Sequence, residues 1–314
     1  MADKATREAL GETLVELAAE GRDDIVVLEA DLAKATTTAK FGAAYPDRFF
    51  DAGIAEQNMT GMAAGLAVGG KTAFTASFAV FATGRAYDQV RNSVCYANLD
   101  VKLCPTHSGI TVGPDGGTHQ MIEDIALMRV LPNMRVLVPA DYHAAKAAIR
   151  IASETPGPFY VRLGRLALPE IYPADMEFEL GRAYVLREGT DVTLVTHSYA
   201  TVRALAAAER LASEHGVSAE VVDLRSLRPL DIDTVIESVK KTNRLVTVEQ
   251  GWPVCSIGSE IASQVVEKAF DWLDAPPAKV AGKDVPMPYA ANLEKLALPS
   301  VAEVVDAAKA VMYR

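Results

Sequence analysis

The sequence predicts an α/β protein of two domains, each a mainly parallel sheet covered by helices. Short β-branched and apolar runs alternate with longer segments in which apolar residues recur at helical spacing. This alternation is typical of parallel strands that are covered on both faces. A loop-like stretch rich in proline and acidic residues, 168–181, interrupts the rhythm once. We therefore expect a first domain over residues 1–180 and a second over residues 181–314.

The individual elements follow from the same periodicities. Runs of four to six apolar or β-branched residues predict strands at 24–28, 71–76, 101–105, 134–138, 159–163, 192–195, 219–222 and 245–248. In the first domain, helices are indicated by Met59, Met62, Ala63 and Leu66, and by Val90, Val94 and Ala97. In the second domain, helices are predicted at 201–214, 232–240, 257–270 and 300–311, the last with Ser300 as its N-cap.

The composition excludes several classes of protein. The chain has 314 residues, half of them hydrophobic, and a net charge of -10. It can therefore build sizeable cores, and it repels phosphate backbones, so nucleic acid is not an expected partner. Three cysteines without CxxC spacing predict neither a disulfide framework nor a zinc site. No apolar run approaches the ~20 residues that span a bilayer, and we expect a cytoplasmic protein.

Two polar segments follow predicted strands of the first domain. The first, GIAEQN, places Glu56 in the first turn of a helix, where a carboxylate also complements the helix dipole. The second runs from His107 through a glycine-rich loop to His119 and includes Asp115. Such a loop can be rich in glycine and aspartate for steric reasons alone. However, the carboxyl edge of a parallel sheet is a common ligand site, and histidine exchanges protons near neutral pH. These residues therefore predict a functional site.

In their order along the chain, these segments resemble a known family. GIAEQN, SFAVFATGRAYDQVR, THSGITVGPDGGTHQ, LPNMRVLVPAD and YVRLGRLALP follow one another as in the pyrimidine-binding domain of transketolases. Residues 181–314 resemble the C-terminal domain of the same superfamily. Within them, LVTVEQGWPVCSIGSEIA and DVPMPYAANLEKLALP are more similar to the beta subunit of the pyruvate dehydrogenase decarboxylating component. The two halves thus resemble different enzymes of one fold.

The resemblance implies a thiamine-diphosphate enzyme. In this family a glutamate at the position of Glu56 hydrogen-bonds the cofactor's aminopyrimidine ring and promotes loss of the thiazolium proton, while the cofactor acts as the electron sink. Phe78 matches an aromatic residue that stacks on that ring. Phe81 lies where a second aromatic is usual, although core packing explains either phenylalanine as well. Thr75 stands at a position that is often phenylalanine, so stacking could be thinner here.

His107 and His119 match two histidines that face the substrate in transketolases. Asp115 matches an aspartate that contacts a substrate hydroxyl. Of these residues, His107 best distinguishes transketolases from related enzymes. The pyruvate dehydrogenase beta subunit and the deoxyxylulose-phosphate synthases resemble the chain at His119 but generally lack a histidine at the position of His107.

Arg7 and Arg165 match the arginines that hold the sugar phosphate in the family. A planar guanidinium suits a bidentate phosphate contact, although exposed arginines are also ordinary surface residues. Ala35 stands where transketolases carry a phosphate-binding serine. We expect that Thr36 could replace that serine.

The cofactor's diphosphate and magnesium are held in this superfamily by a GDG motif and an asparagine-rich motif, and this sequence contains neither. The resemblance therefore implies that a partner subunit with a diphosphate-binding domain holds the magnesium, and that this chain supplies no metal ligand. It also implies an α2β2 assembly with the cofactor at the interface. Gly61 and Gly65, beside Glu56, would let backbones pack closely there.

Three functions are compatible with the sequence. The first is a subunit of a transketolase that moves a two-carbon ketol unit between sugar phosphates of the pentose phosphate pathway. The second is the beta subunit of a 2-oxoacid dehydrogenase decarboxylating component. The third is an inactive regulatory or scaffold paralogue, which the presence of Glu56, His107 and His119 argues against. A natural or engineered fusion would also explain the mixed halves. Because the chemistry follows the pyrimidine-binding domain, we expect the first.

Overall fold

The computed structural model describes residues 3–314, and it confirms the predicted fold class. The strands are β1 Lys4–Ala5, β2 Ile25–Glu29, β3 Phe49–Asp51, β4 Thr72–Ala76, β5 Val101–Leu103, β6 Arg135–Leu137, β7 Phe159–Val161, β8 Ala167–Leu168, β9 Tyr184–Arg187, β10 Val192–Thr196, β11 Ala219–Asp223, β12 Ser226–Arg228, β13 Leu245–Val248 and β14 Ala278–Val280. The α-helices are α1 Glu8–Ala19, α2 Ala33–Thr36, α3 Ala39–Ala44, α4 Glu56–Val68, α5 Asp124–Arg129, α6 Tyr142–Glu154, α7 Tyr199–His215, α8 Ile232–Thr242, α9 Ile257–Ala269, α10 Ala291–Ala297 and α11 Val301–Ala310.

The first sheet has the strand order β12-β6-β7-β5-β4-β2-β3. Its strands are parallel except for β12, which pairs antiparallel with β6. Every residue of β2 and β4 is buried, because one hydrophobic core packs on each face of the sheet. This burial on both faces explains why the strands are apolar runs and do not alternate.

The second sheet has the order β14-β13-β10-β11-β9 and is parallel except for β9. Four helices cover this sheet: α7, α8, α9 and α11. Helix α11 begins with the expected N-cap. The hydroxyl of Ser300 accepts from the backbone N–H of Glu303, and the Glu303 carboxylate accepts from the backbone N–H of Ser300.

The two halves of the chain share a sheet. Strand β12 belongs by sequence to the second half but extends the first sheet, where Ser226 lies opposite Leu137. The halves are therefore joined by more than the linker between them. The boundary near residue 180 stays a prediction.

Two predicted helices differ from the structure. Val90 and Val94 are buried in a π-helical turn, Gln89–Cys95, and the exposed Ala97 lies outside it. The spacing of four residues that suggested an α-helix is shared by this wider turn. A helix is also expected to start near Gln120, after the glycine-rich loop, and in the structure it begins at Asp124.

No helix within residues 3–314 is both long enough and apolar enough to cross a membrane.

Candidate active site

The candidate site lies at the carboxyl edge of the first sheet. Glu56 follows β3, Phe78 follows β4, His107 follows β5 and Arg165 follows β7. Since these strands run in one direction, their following loops meet at one edge of the sheet. The structure brings most of the predicted site residues into one connected group of contacts there.

Glu56 is the first residue of α4, and its side chain is only 4% exposed. One of its carboxylate oxygens, Oε1, accepts a hydrogen bond from Nη1 of Arg85 at 3.0 Å. The Arg85 guanidinium also lies 4.1 Å from the ring centre of Phe81, and its side chain is 51% exposed. Sequence reasoning missed Arg85. The available signal was a lone charge within the apolar segment that follows β4.

An aromatic cluster connects Arg85 to the histidines. The rings of Phe78 and Phe81 are nearly parallel, with centroids 6.0 Å apart. The His107 imidazole stacks on Phe78 at 3.8 Å, and His119 meets Phe81 edge-on at 5.2 Å. Phe78 is buried whereas Phe81 is half-buried, so Phe81 presents the more accessible ring. The stacking role of Phe81 stays a prediction beside the alternative of core packing.

His107 is buried in a strained backbone conformation. Its φ is 60°, a value that non-glycine residues rarely adopt and that is often found at functional sites. Its Nδ1 lies 2.8 Å from the hydroxyl of Thr106. Burial first, and then the charges of Arg7, Arg165 and His119, lower the pKa of His107 to about 3. The expectation of a histidine that titrates near neutral pH is therefore wrong for His107, which is a neutral hydrogen-bonding group.

Arg7 and Arg165 lie close enough to His107 for their charges to lower its pKa. Nη1 of Arg7 donates to the carbonyl oxygen of Ala35 at 2.9 Å, and its buried Nε has no partner among the described residues. Burial first, and then the like charge of Arg165, lower the pKa of Arg7. Arg165 donates to the carbonyl oxygen of Val112 and lies 3.4 Å from the carboxylate of Asp115. The two cations therefore repel each other, and Nε of Arg7 can still donate a hydrogen bond.

Thr36 does not replace the missing serine. Its hydroxyl is fully buried and donates to a carboxylate oxygen of Glu29 at 2.6 Å. The expectation that this hydroxyl binds phosphate is therefore wrong, because the side chain points into the protein's own hydrogen-bond network.

These residues fit one half of thiamine diphosphate. A buried carboxylate at Glu56 close to the accessible ring of Phe81 suits a flat, weakly basic heterocycle that is both hydrogen-bonded and stacked. The other half of the cofactor is the diphosphate with its magnesium ion. Within residues 3–314 no three His, Cys, Asp or Glu side chains are grouped so that they could hold a metal. A cleft of about 830 Å³ between α5 and the start of α9 contains none of the predicted site residues. The fold and these residues together fit the class of thiamine-diphosphate enzymes.

Comparison with known proteins agrees with this class. Residues 2–170 match the model of the transketolase pyrimidine-binding domain, and residues 181–304 match that of the transketolase C-terminal domain. The chain therefore belongs to the transketolase family, and this membership implies dependence on thiamine diphosphate.

Three similar proteins represent both halves of the resemblance. A putative transketolase C-terminal section of Methanocaldococcus jannaschii is 44% identical over 270 residues, 85% of this chain and 84% of that protein. The pyruvate dehydrogenase E1 component subunit beta of Rhizobium meliloti is 36% identical over 334 aligned positions, 100% of this chain and 71% of that protein. A solved structure described as "Split gene transketolase, inactive beta4 tetramer" superposes with a TM-score of 0.88 at 47% identity and covers 99% of both chains.

We expect His107 to remain neutral at physiological pH. NMR spectra of histidine-labelled protein test this, with the resonance of His107 assigned by its loss in His107→Asn. The signal should show no protonation between about pH 8 and about pH 5, the range in which an ordinary histidine titrates. A midpoint near the ordinary value of 6.5 would contradict the role of burial.

The lowered pKa of His107 also predicts how the stability of the folded chain depends on pH. Because the folded pKa lies below the unfolded one, the unfolded chain binds this proton first as the pH falls from 6.5 towards 3. His107 should therefore cost stability in that window, at ~1.4 kcal/mol per pH unit. Denaturant unfolding of His107→Asn should show a pH dependence that is weaker by about that slope.

Proposed function

We propose that this chain is a subunit of a thiamine-diphosphate-dependent transketolase that transfers a two-carbon ketol unit between sugar phosphates. The observation that carries the proposal is the pair Arg7 and Arg165 beside the buried, neutral His107. Two repelling arginines, one with an unpartnered buried nitrogen, fit a phosphate that would neutralise both. A 2-oxoacid such as pyruvate has no phosphate for these groups.

Thiamine diphosphate supplies the electron sink for breaking and forming the carbon–carbon bond. In the proposed complex Glu56 accepts and returns a proton at the aminopyrimidine nitrogen, and Phe78 and Phe81 provide the aromatic wall. Arg85 must then share or release the Glu56 oxygen that it contacts. Its half-exposed side chain can move into solvent, and the hydrogen bond from the ring nitrogen would replace the one that the buried Glu56 loses.

The substrate lies on the other side of the aromatic cluster. We assign His107, as a neutral group, to hydrogen bonds with the sugar oxygens, His119 to hydrogen bonds and proton exchange with them, and Asp115 to a sugar hydroxyl. An open cleft of about 390 Å³ adjoins Arg165 and is also lined by Arg203 and Lys295. This second group of cations supports an anionic end to the substrate.

A partner subunit completes the proposed enzyme. It carries the diphosphate-binding domain, holds the magnesium and forms an α2β2 assembly in the cytoplasm. The exposed face of α4 supports an interface beside Glu56, because Gly61 and Gly65 have open space where a side chain would project. The M. jannaschii relative is named as a C-terminal section, and the solved β4 tetramer is described as inactive. Both descriptions fit a chain that needs a partner subunit for activity.

The second candidate is the beta subunit of a 2-oxoacid dehydrogenase decarboxylating component. The similarity to the R. meliloti subunit along the whole chain favours it. It requires the same use of Glu56 but gives Arg7 and Arg165 no phosphate to bind.

Glu56→Gln should abolish turnover without unfolding the chain. Glutamine keeps a hydrogen bond but cannot exchange the proton, and such steps contribute about 10²- to 10⁴-fold in rate. Exchange of the thiazolium proton for deuterium in the assembled enzyme measures the step directly. The exposed Glu267→Gln on α9 is the matched control and should exchange like the wild type. Fast exchange in Glu56→Gln would show that another group removes the proton.

Arg165→Ala should raise KM for a ketose phosphate far more than it lowers kcat. A remote phosphate contact holds the ground state and the transition state alike, so its loss appears in KM. The assay supplies the partner subunit, thiamine diphosphate and magnesium, and compares ketol transfer from xylulose 5-phosphate with decarboxylation of pyruvate. Arg165→Lys keeps the charge and should fall between wild type and Arg165→Ala. Decarboxylation without ketol transfer would reject the transketolase function in favour of the second candidate.

The isolated chain should bind thiamine diphosphate weakly and should be inactive. Magnesium and the diphosphate contribute most of the electrostatic attraction, and this chain offers no grouped metal ligands within residues 3–314. Titration calorimetry with and without magnesium measures the affinity. A magnesium-dependent Kd of about 1 μM or below, with turnover, would show that the chain holds the diphosphate itself.

A further inference from the structure

The loop that follows β2 is built around one buried carboxylate. Glu29, the last residue of β2, is fully buried, and burial is the main cause that raises its pKa. Both of its oxygens accept hydrogen bonds from within the next nine residues. The donors are the backbone N–H groups of Ala30 and Leu32, each at 2.8 Å, and the hydroxyls of Thr36 at 2.6 Å and Thr38 at 3.4 Å. One side chain thus ties both ends of the segment 30–38.

This segment needs such an anchor because its backbone is strained. Asp31 and Thr37 have φ values of 60° and 71°, in the left-handed region. Conformations of this kind cost of order 1–3 kcal/mol for each non-glycine residue and persist only where the surroundings impose them. The hydrogen bonds of Glu29 hold the residues on either side of each strained position. Asp31 and Thr37 themselves donate to the Asp51 carboxylate and to the Arg7 carbonyl oxygen.

The same segment fixes Arg7 at its backbone and at its guanidinium. The carbonyl oxygen of Ala35 accepts from Nη1 of Arg7 at 2.9 Å. The Thr37 hydroxyl donates to the Arg7 carbonyl oxygen at 2.9 Å and accepts from the Gly11 N–H at 3.1 Å. A side chain at Gly11 would collide with the Thr37 carbonyl group, so the loop and the start of α1 are in close contact.

We propose that Glu29 is a positioning residue that holds the phosphate-binding side chain of Arg7 through the segment 30–38. The proposal rests on the proposed function in one respect, the binding of a substrate phosphate by Arg7. Glu29 does not touch the substrate itself, because it is buried beneath the loop.

The chemistry of the network provides a matched pair of variants. In Glu29→Gln the amide oxygen can accept from the two backbone N–H groups, and the amide nitrogen can donate to the threonine hydroxyls. Thr36 can then turn its proton to the carbonyl oxygens of Leu32 or Ala33, which already lie 3.3 and 3.4 Å away. Glu29→Ala instead removes the acceptor of all four hydrogen bonds, and the buried N–H groups of Ala30 and Leu32 lose the partner that Glu29 gave them. Glutamine should therefore preserve the loop, and alanine should release it.

The experiment uses the assembled enzyme and measures KM and kcat for xylulose 5-phosphate and for unphosphorylated xylulose. Glu29→Ala should raise KM for the phosphate ester about ten- to hundredfold, the equivalent of one charged hydrogen bond, with kcat little changed. Glu29→Gln should behave like the wild type, and the unphosphorylated sugar should respond to neither change. Arg7→Ala should match Glu29→Ala, and the double variant should be no worse than either single one, because both remove one interaction.

Hydrogen exchange of the peptides that cover 6–11 and 30–38 gives a readout independent of catalysis. Both should exchange faster in Glu29→Ala and not in Glu29→Gln. The proposal is overturned if KM is unchanged in Glu29→Ala. It is also overturned if the increases in KM caused by Glu29→Ala and Arg7→Ala multiply in the double variant. An unchanged KM in Arg7→Ala instead counts against the proposed phosphate site, and exchange still decides whether Glu29 orders this loop. If Glu29→Ala does not fold, Thr36→Val removes one donor, and its KM should rise by a smaller factor that again does not multiply with Arg7→Ala.

Discussion

The candidate site depends throughout on the parallel order of the first sheet. Strands β2, β3, β4, β5 and β7 run in one direction, so the loops at their carboxyl ends meet and carry Glu56, Phe78, His107 and Arg165 to one edge. Arg7 reaches this edge differently. It precedes α1, and the start of that helix is fixed to the loop that follows β2. If any one of these strands ran in the opposite direction, the loop after it would lie at the opposite edge of the sheet. The site residue in that loop would then be displaced by about the length of a strand.

The charges at this edge explain how an acidic chain can hold an anion. The net charge is -10, yet the charges that act on His107 are positive: burial first, and then Arg7 and Arg165, lower its pKa. Asp115 is the carboxylate paired with Arg165, but both side chains are more than a third exposed and 3.4 Å apart. Water screens such a pair, which contributes ~1 kcal/mol at most. A phosphate that contacts both arginines can therefore displace Asp115 at small cost and leave it for a hydroxyl.

Local chemistry explains what the sequence could predict. The eight expected strands lie within two residues of their observed ends, because burial on both faces demands continuous β-branched runs such as Val26 to Leu28. Short strands without such runs, including β9 and β12, gave no comparable signal. In the site, motif residues were predictable, but Arg85 and the network of Glu29 were not. Arg85 meets Glu56 across 29 positions of sequence, and the burial of Glu29 depends on how a whole loop folds over it.

The charges that this chain can neutralise around Glu56 explain why the proposed active site is divided between two chains. The buried Glu56 has one charged partner, Arg85, and a half-exposed arginine can leave it when a ring nitrogen takes its place. Magnesium diphosphate makes the opposite demand, since it needs several oxygen ligands held together. A second cluster of carboxylates near Glu56 would add like charges to a site where, among the described residues, Arg85 is the cation that contacts Glu56. Placing the metal ligands on another chain lets Glu56 remain an isolated carboxylate, and the exposed glycine face of α4 then allows the two surfaces to meet beside it.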